Sequence, residues 1–300
     1  MRLLSLLLGL VPLVGLAELG LHQFWAKRAP EQADYAALGP ELIKLKQTGV
    51  PVVVAPQWAE PLLRQAAPPA FPAAELTRPD DTAFPAFLEV SLLGQSAPEL
   101  EGFQVERSQH IGKFRLSWRR NPRPEPVLFD FVSAVDLGEV EVFTELNGER
   151  RPCPRGVRPR TATGGLHGHV AYPRQRFECS SNRLVAVTLI DDSAYRPRRC
   201  VLTQLPESGA VVLRFNSVPA SKRLVGFTGF SYFLERDVEN AQAELSVSEL
   251  GQALGQKRAA GAEGWSRFEL GRGSTLGSVE VSVRRLASES RDFCFALEAR

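Results

Sequence analysis

The chain has 300 residues, 44% of them hydrophobic, and a formal net charge of +2. That is material for one large or two modest cores, with too little net charge for a nucleic-acid binder. Lysine and arginine total 36, nearly all arginine, which lowers the weight of any single arginine, and 22 prolines with 24 glycines fit a loop-rich β protein.

The N-terminus reads MRLLSLLLGLVPLVGLA. Arg2 is a charged n-region, Leu3 to Ala17 is an apolar run, and Gly15-Leu16-Ala17 supplies the small residues of a signal-peptide cleavage site. A retained membrane anchor fits the same residues, continuing through Leu19 and Leu21 to Phe24-Trp25 and closing on Lys27-Arg28, an interfacial aromatic pair followed by basic residues. Residues 1–25 are thus a membrane anchor or a signal peptide. Either reading exports the rest of the chain, with the bulk extracytoplasmic, periplasmic or on the cell surface. Cys153, Cys179, Cys200 and Cys294 agree with export, being even in number and without a C-x-x-C pair. Their spacing resembles no compact zinc site. Of the three possible connectivities, the preferred one pairs Cys153 with Cys179 and Cys200 with Cys294.

Tyr35 to Gln47 reads as a helix with Leu38, Leu42, Ile43 and Leu45 on one stripe; Pro40 falls inside it, so the helix is expected to begin near Pro40. Gly49 is a helix stop, and VPVVVA over 50–55 is a short apolar run of the kind buried on both faces of a sheet. A second helix begins at Ala59. Phe87 to Leu93 is a strand, and Gly102 to Glu106 with Lys113 to Arg119 form a hairpin. Residues 30–121 are therefore a small α/β domain, closed by the linker NPRPEP at 121–126. Within it, the run from Asp34 to Arg64 (a Tyr-headed helix, a glycine, a hydrophobic strand, then Ala-Pro-x-Trp-x-x-Pro-Leu-x-Arg) looks like the extracytoplasmic segment after the last membrane span of polytopic polyprenyl-phosphate-dependent glycosyltransferases. The chain lacks the multi-span catalytic body of that family. The resemblance implies an envelope setting and a membrane glycosyltransferase as partner, and carries over no catalysis.

From residue 126 the pattern is of strands. VLFDFV at 127–132 is expected to open a β-sandwich, and Glu139 to Leu146 is a strand that ends in the tight-turn pair Asn147-Gly148. Val279, Val281 and Val283 alternate with Glu280, Ser282 and Arg284, and Leu245 and Val247 with Ser246 and Ser248, so each strand buries one face. Cys294 sits between Phe293 and Phe295 and points away from both. This strand order, with the Gly264-Trp265 turn, resembles the galactose-binding-like jelly roll found in carbohydrate-recognition modules. The fold class expected is mainly β within an α+β chain: an N-terminal membrane helix, a small α/β segment, and an antiparallel β-sandwich of jelly-roll type over 126–300. An arginine-rich insertion near 150–200 would be stapled by a disulfide.

No catalytic constellation is legible. Neither a nucleophile elbow nor a phosphate-binding loop occurs, and no metal or cofactor is expected. His167 and His169 share a strand face but lack a third ligand. Asp191-Asp192 is a calcium candidate with too few oxygens around it, and reads better as a turn. The arginine-dense insertion is suited to phosphate or carboxylate, with a solvated, stapled loop as the plain alternative. Trp265, Arg267, Tyr232, Arg236 and Asp237 are the carbohydrate-binding candidates, because sugar sites set aromatic platforms beside polar groups; a core indole is the alternative for Trp265. The leading expectation is an exported, anchored envelope protein whose sandwich binds carbohydrate or assists a glycan-handling membrane enzyme, with partners the membrane, envelope glycan and such an enzyme, and no nucleic acid. A glycan-acting hydrolase or transferase and a structural envelope protein are the alternatives.

Overall fold

Two apolar patterns build two units. The computed structural model describes residues 14–24, 29–47, 49–158, 161–162, 171–180, 183–192, 196–230, 241–273, 276–287 and 292–300. The first unit comprises residues up to Glu75 together with Phe84–Pro124; the second comprises Leu76–Ala83 and Glu125–Arg300. The second unit thus takes in eight residues upstream of the single boundary expected at 121–126.

In the first unit, β1 (Val52–Ala55), β2 (Ala86–Ser91), β4 (Phe114–Arg120) and β3 (Gln104–Ile111) form one sheet in that order. β1 runs parallel to β2 and the remaining pairs are antiparallel. All four residues of β1 are buried, as a doubly covered strand requires. Helix α1 (Gln32–Leu45) turns Tyr35, Leu38 and Leu42 inward beside α2 (Glu60–Ala66), which buries Leu63. α1 begins eight residues before Pro40, a correction to the expected start. The Glu31 amide donates to the Asp34 carboxylate at 2.8 Å, which closes the first turn. The buried stripe on both sides of Pro40 outweighs the one amide that proline removes. Glu89 is fully buried and accepts from Arg119 at 2.8 Å and from the Ala97 amide at 2.8 Å.

The second unit is a sandwich of two mainly antiparallel sheets. One is ordered β17 (Gln252–Ala260), β16 (Gln242–Glu249), β19 (Gly277–Arg285), β14 (Ala210–Val218), β6 (Glu141–Leu146), β7 (Glu149–Pro152). The other is ordered β18 (Ser266–Gly271), β15 (Arg223–Gly229), β20 (Asp292–Ala299), β13 (Pro197–Gln204), β12 (Arg183–Asp191), β11 (Gln175–Ser180), β8 (Arg155–Val157), with β5 (Phe129–Asp130) beside β20. β9 (Thr161–Ala162) and β10 (Ala171–Tyr172) pair separately. The inner faces meet in one core that includes Val211, Leu213, Phe215, Leu245, Val281, Val201, Phe293 and Phe295. The alternation read from the sequence is the packing alternation: Val279, Val281 and Val283 are fully buried, and Cys294 lies in a different cluster from its phenylalanine neighbours. Both expected disulfides are present, Cys153–Cys179 and Cys200–Cys294.

The opening of the sandwich differs from expectation. Only Phe129–Asp130 is strand; Phe131–Leu137 is a helix, α3. Asp130 caps it, accepting from the Val132 amide at 2.9 Å and from the Ser133 hydroxyl at 2.5 Å. Gly138 ends it in the left-handed region at φ 82°. A short apolar run does not by itself separate strand from buried helix, and the Asp and Gly at its ends decide here. Among the described residues no helix is long and apolar enough to cross a membrane; residues 14–24 are helical, and residues 3–13 of the apolar run lie outside those described.

Candidate functional site

The sandwich has two outer faces, and the sequence treats them differently. On the eight-stranded sheet the residues between the inward ones are also apolar. Leu184, Ala186, Ile190, Cys200, Leu202 and Cys294 form a second cluster there, with Trp265 packed against it. Residues 76–83 are bound along this face. The Arg199 amide donates to the Thr77 carbonyl at 3.2 Å, and Arg198 donates to the carbonyls of Arg78 and Pro79 at 2.9 and 3.2 Å. The Trp265 indole stacks on Phe227 with centroids 6.0 Å apart and donates its N–H to the Pro79 carbonyl at 3.3 Å.

A chain of alternating charges fixes the same segment. The Arg300 side chain is 1% exposed and donates to Asp80 at 2.9 Å, to the Thr82 hydroxyl at 2.5 Å and to Glu298 at 2.8 Å. Arg267 pairs with Asp80 at 3.3 Å and with Glu269 at 2.5 Å; Arg223 pairs with Glu125 at 2.5 Å and with Glu269 at 3.1 Å. Burial works against the Asp80 carboxylate, but the hydrogen bond and charge of Arg300, helped by Thr82 and Arg267, hold it below the usual range. Burial wins at Glu298: it is pushed up to about 7, against the pull of Arg300 and with the added repulsion of Asp80 and Asp130.

That shift predicts a pH dependence. A carboxyl raised in the folded state stabilises it fully below the unfolded value near 4.5, and this stabilisation is lost as pH rises through about 7. Asp80, whose value is lowered, is ionised in both states across that window. Glu298 therefore makes the sandwich less stable at pH 8 than at pH 5, by about 3 kcal/mol from this group. Glu298→Gln is expected to flatten the difference while keeping an acceptor for Arg300. Urea midpoints at the two pH values check this, and equal slopes for wild type and variant would refute it.

The residues expected to hold sugar divide accordingly. Trp265 and Arg267 come together, but their polar groups are engaged with Pro79, Asp80 and Glu269. Tyr232, Arg236 and Asp237 lie outside the described residues, as do His167 and His169. Asp192 is buried and accepts from Arg198 and from the Arg196 amide, both at 2.9 Å. Burial, then the charge of Asp192, raises the Asp191 carboxyl. Several arginines of the dense insertion are engaged, within it and with α3. Arg158 meets Glu178 at 2.7 Å, Arg199 meets Asp136 at 2.8 Å, and Arg155 donates to the Leu137 carbonyl at 2.9 Å at the end of α3.

The outer face of the six-stranded sheet is polar instead. Register places Arg258, Glu244, Arg284 and Ala210 in one cross-strand row, then Gln256, Ser246, Ser282 and Val212 in the next, with Phe143 beside Val212. A third row holds Ser248, Glu280, Arg214 and Glu141. Glu244 is nearly buried, its side chain 3% exposed, and accepts from Arg258 at 3.0 Å and from Arg284 at 2.7 Å. Glu280 accepts from Arg150 and Arg214, each at 2.9 Å. Arg150 belongs to the strand at the edge, in the row of Glu145, so its side chain crosses the row of Val212 and Phe143 to reach Glu280. Val212 is buried beneath, and Arg214 lies 5.5 Å from the Phe143 ring centre. Burial opposes ionisation of Glu244, but its two arginines hold its carboxyl low; at Glu280 the Arg150 hydrogen bond leads the same effect. The surface therefore offers serine hydroxyls, an exposed glutamine amide and guanidinium edges on a rigid support. The alternation of Ser246, Ser248, Ser282 and Arg284 announced a polar face. Only the strand order and register show which arginine meets which glutamate.

No protein-family model and no curated protein matches the chain, and neither comparison supports the glycosyltransferase likeness of residues 34–64. Among solved structures the matches include carbohydrate-binding modules. One is the CBM51 module of GH95 from Clostridium perfringens, in complex with methyl-galactose: 9% identity, 38% of this chain and 81% of that one, TM-score 0.29. A second holds the CBM51-2 and INT domains of ZmpB from Clostridium perfringens: 8% identity, 67% of this chain and 41% of that one, TM-score 0.32. A third is the tandem CBM51 modules of a family 98 glycoside hydrolase from Streptococcus pneumoniae: 6% identity, 64% of this chain and 57% of that one, TM-score 0.29. This chain thus spans 41% and 57% of the latter two, and at these values no ligand carries over from any of them.

Proposed function

We propose that this chain is an exported envelope module that binds glycan on the outer face of its six-stranded sheet and does no chemistry on it. One observation supports this reading above the others: of the two outer sheet faces, one is occupied by residues 76–83 and the other presents exposed hydrogen-bonding side chains on a braced floor. Sugar hydroxyls are donors and acceptors at once, and serine, glutamine and paired guanidinium groups match both roles. Two disulfides, with Cys200 and Cys294 both buried, suit an oxidising, extracytoplasmic setting. In this reading residues 1–25 deliver the sandwich there as signal or anchor, and a glycan-handling membrane enzyme is the partner it serves.

A panel of immobilised envelope glycans tests the reading. The wild-type protein is expected to retain at least one of them. Ser282→Trp, whose indole would lie over the middle row, is expected to abolish retention with the melting temperature unchanged. If the wild type retains none, glycan binding is excluded and a structural role takes its place.

A further inference from the structure

We infer that Arg258 and Arg284 together receive an acidic group of that glycan, a carboxylate or a sulfate or phosphate ester. The inference rests on the glycan reading above and narrows its ligand class. Both guanidinium groups bond a single carboxylate, Glu244, through Nε, with Arg284 adding Nη2 at 2.6 Å. The carboxylate beneath is nearly buried, whereas the Arg258 and Arg284 side chains are 70% and 55% exposed. Glu244 thus orients the two forks from below and leaves their outer N–H groups toward solvent; among the described residues the Nη groups of Arg258 have no partner.

Charge places the acidic group at this end of the face. One carboxylate faces two arginines here, whereas among the described residues Glu280 and Glu141 in the third row, and Glu145 on the far strand of the first, pair with Arg150 and Arg214. The face is balanced overall but has a positive end and a negative end. A planar or tetrahedral oxyanion accepts two parallel N–H bonds from a guanidinium fork, a geometry that a lysine cannot offer. Holding the forks in place beforehand removes part of the ordering cost of binding. Ser246 and Ser282 are the next outward residues along β16 and β19, in reach of the hydroxyls of the same or the neighbouring sugar.

The test compares immobilised polygalacturonate, a sulfated galactan and a neutral galactan, using the full chain. Retention on at least one acidic polymer is expected to exceed that on neutral galactan and to weaken as salt rises. Arg258→Ala and Arg284→Ala are each expected to lose about tenfold in affinity for it. Each single variant leaves Glu244 one arginine, so each keeps its fold, which the melting temperature verifies. Neutral galactan bound as well as the acidic polymers, or acidic polymers bound by both variants as tightly as by the wild type, would overturn the acidic site and leave the glycan reading standing. Binding to no glycan at all would overturn both.

Discussion

Arg300→Ala is expected to destabilise the sandwich by about 3–5 kcal/mol, because it strands buried carboxylates rather than merely deleting a contact. The Arg300 side chain is 1% exposed and is the common partner of Asp80, Glu298 and Thr82. Without it, Glu298 takes up a proton at neutral pH, and Asp80 keeps the amide and hydroxyl of Thr82 and, as its cationic partner among the described residues, Arg267, whose side chain is 36% exposed. Residues 76–83 then lose their strongest tether, and the Trp265 indole loses the support of Pro79. The expected readout is a lower urea midpoint together with a shift in tryptophan emission. A fragment starting at residue 126 lacks Asp80 and Thr82 altogether and should show the same deficit. If the variant and the fragment unfold at the wild-type midpoint, the charge chain is not part of what holds the sandwich.

Replacing both Cys200 and Cys294 by alanine is expected to cost about 5 kcal/mol. The bond joins residues 94 apart in sequence, and a cross-link over so long a loop removes much of the freedom of the unfolded chain. It also sits in the apolar cluster on the outer face of the eight-stranded sheet, where both cysteines are buried. The corresponding loss for Cys153 and Cys179, 26 residues apart, is smaller, about 3.5 kcal/mol, since the loop term grows with loop length. Denaturant unfolding of the two double variants checks the order. A larger loss from the shorter loop would show that packing, and not chain entropy, governs both bonds.

Much of the sandwich was legible in the chain by itself. Period-two alternation is a local property of an extended backbone, so Val279, Val281 and Val283 on one side and Glu280, Ser282 and Arg284 on the other follow from order alone. The position of Cys294 between two inward phenylalanines placed it on the opposite face, where the structure joins it to Cys200. Asn147-Gly148 named its own turn, with φ of 52° and 80°. Where local signals compete, the reading went astray: VLFDFV is apolar enough for a strand, yet the Asp130 cap and Gly138 make α3, and the buried stripe of α1 carries the helix through Pro40.

Two matters were settled only by the tertiary structure. Residues 76–83 fall inside the α/β domain expected over 30–121, yet they belong to the second unit, because their partners Arg198, Trp265 and Arg300 lie 119 to 220 residues further along the chain. Trp265 and Arg267 are engaged by that segment, and the open polar face is on the opposite sheet. There, Arg258, Glu244 and Arg284 come from three strands, two of them 40 residues apart. Alternation says which side of a strand a residue takes, since that depends on its neighbours in the chain. Which charge it meets depends on strand order and register, which are fixed only when the whole core closes.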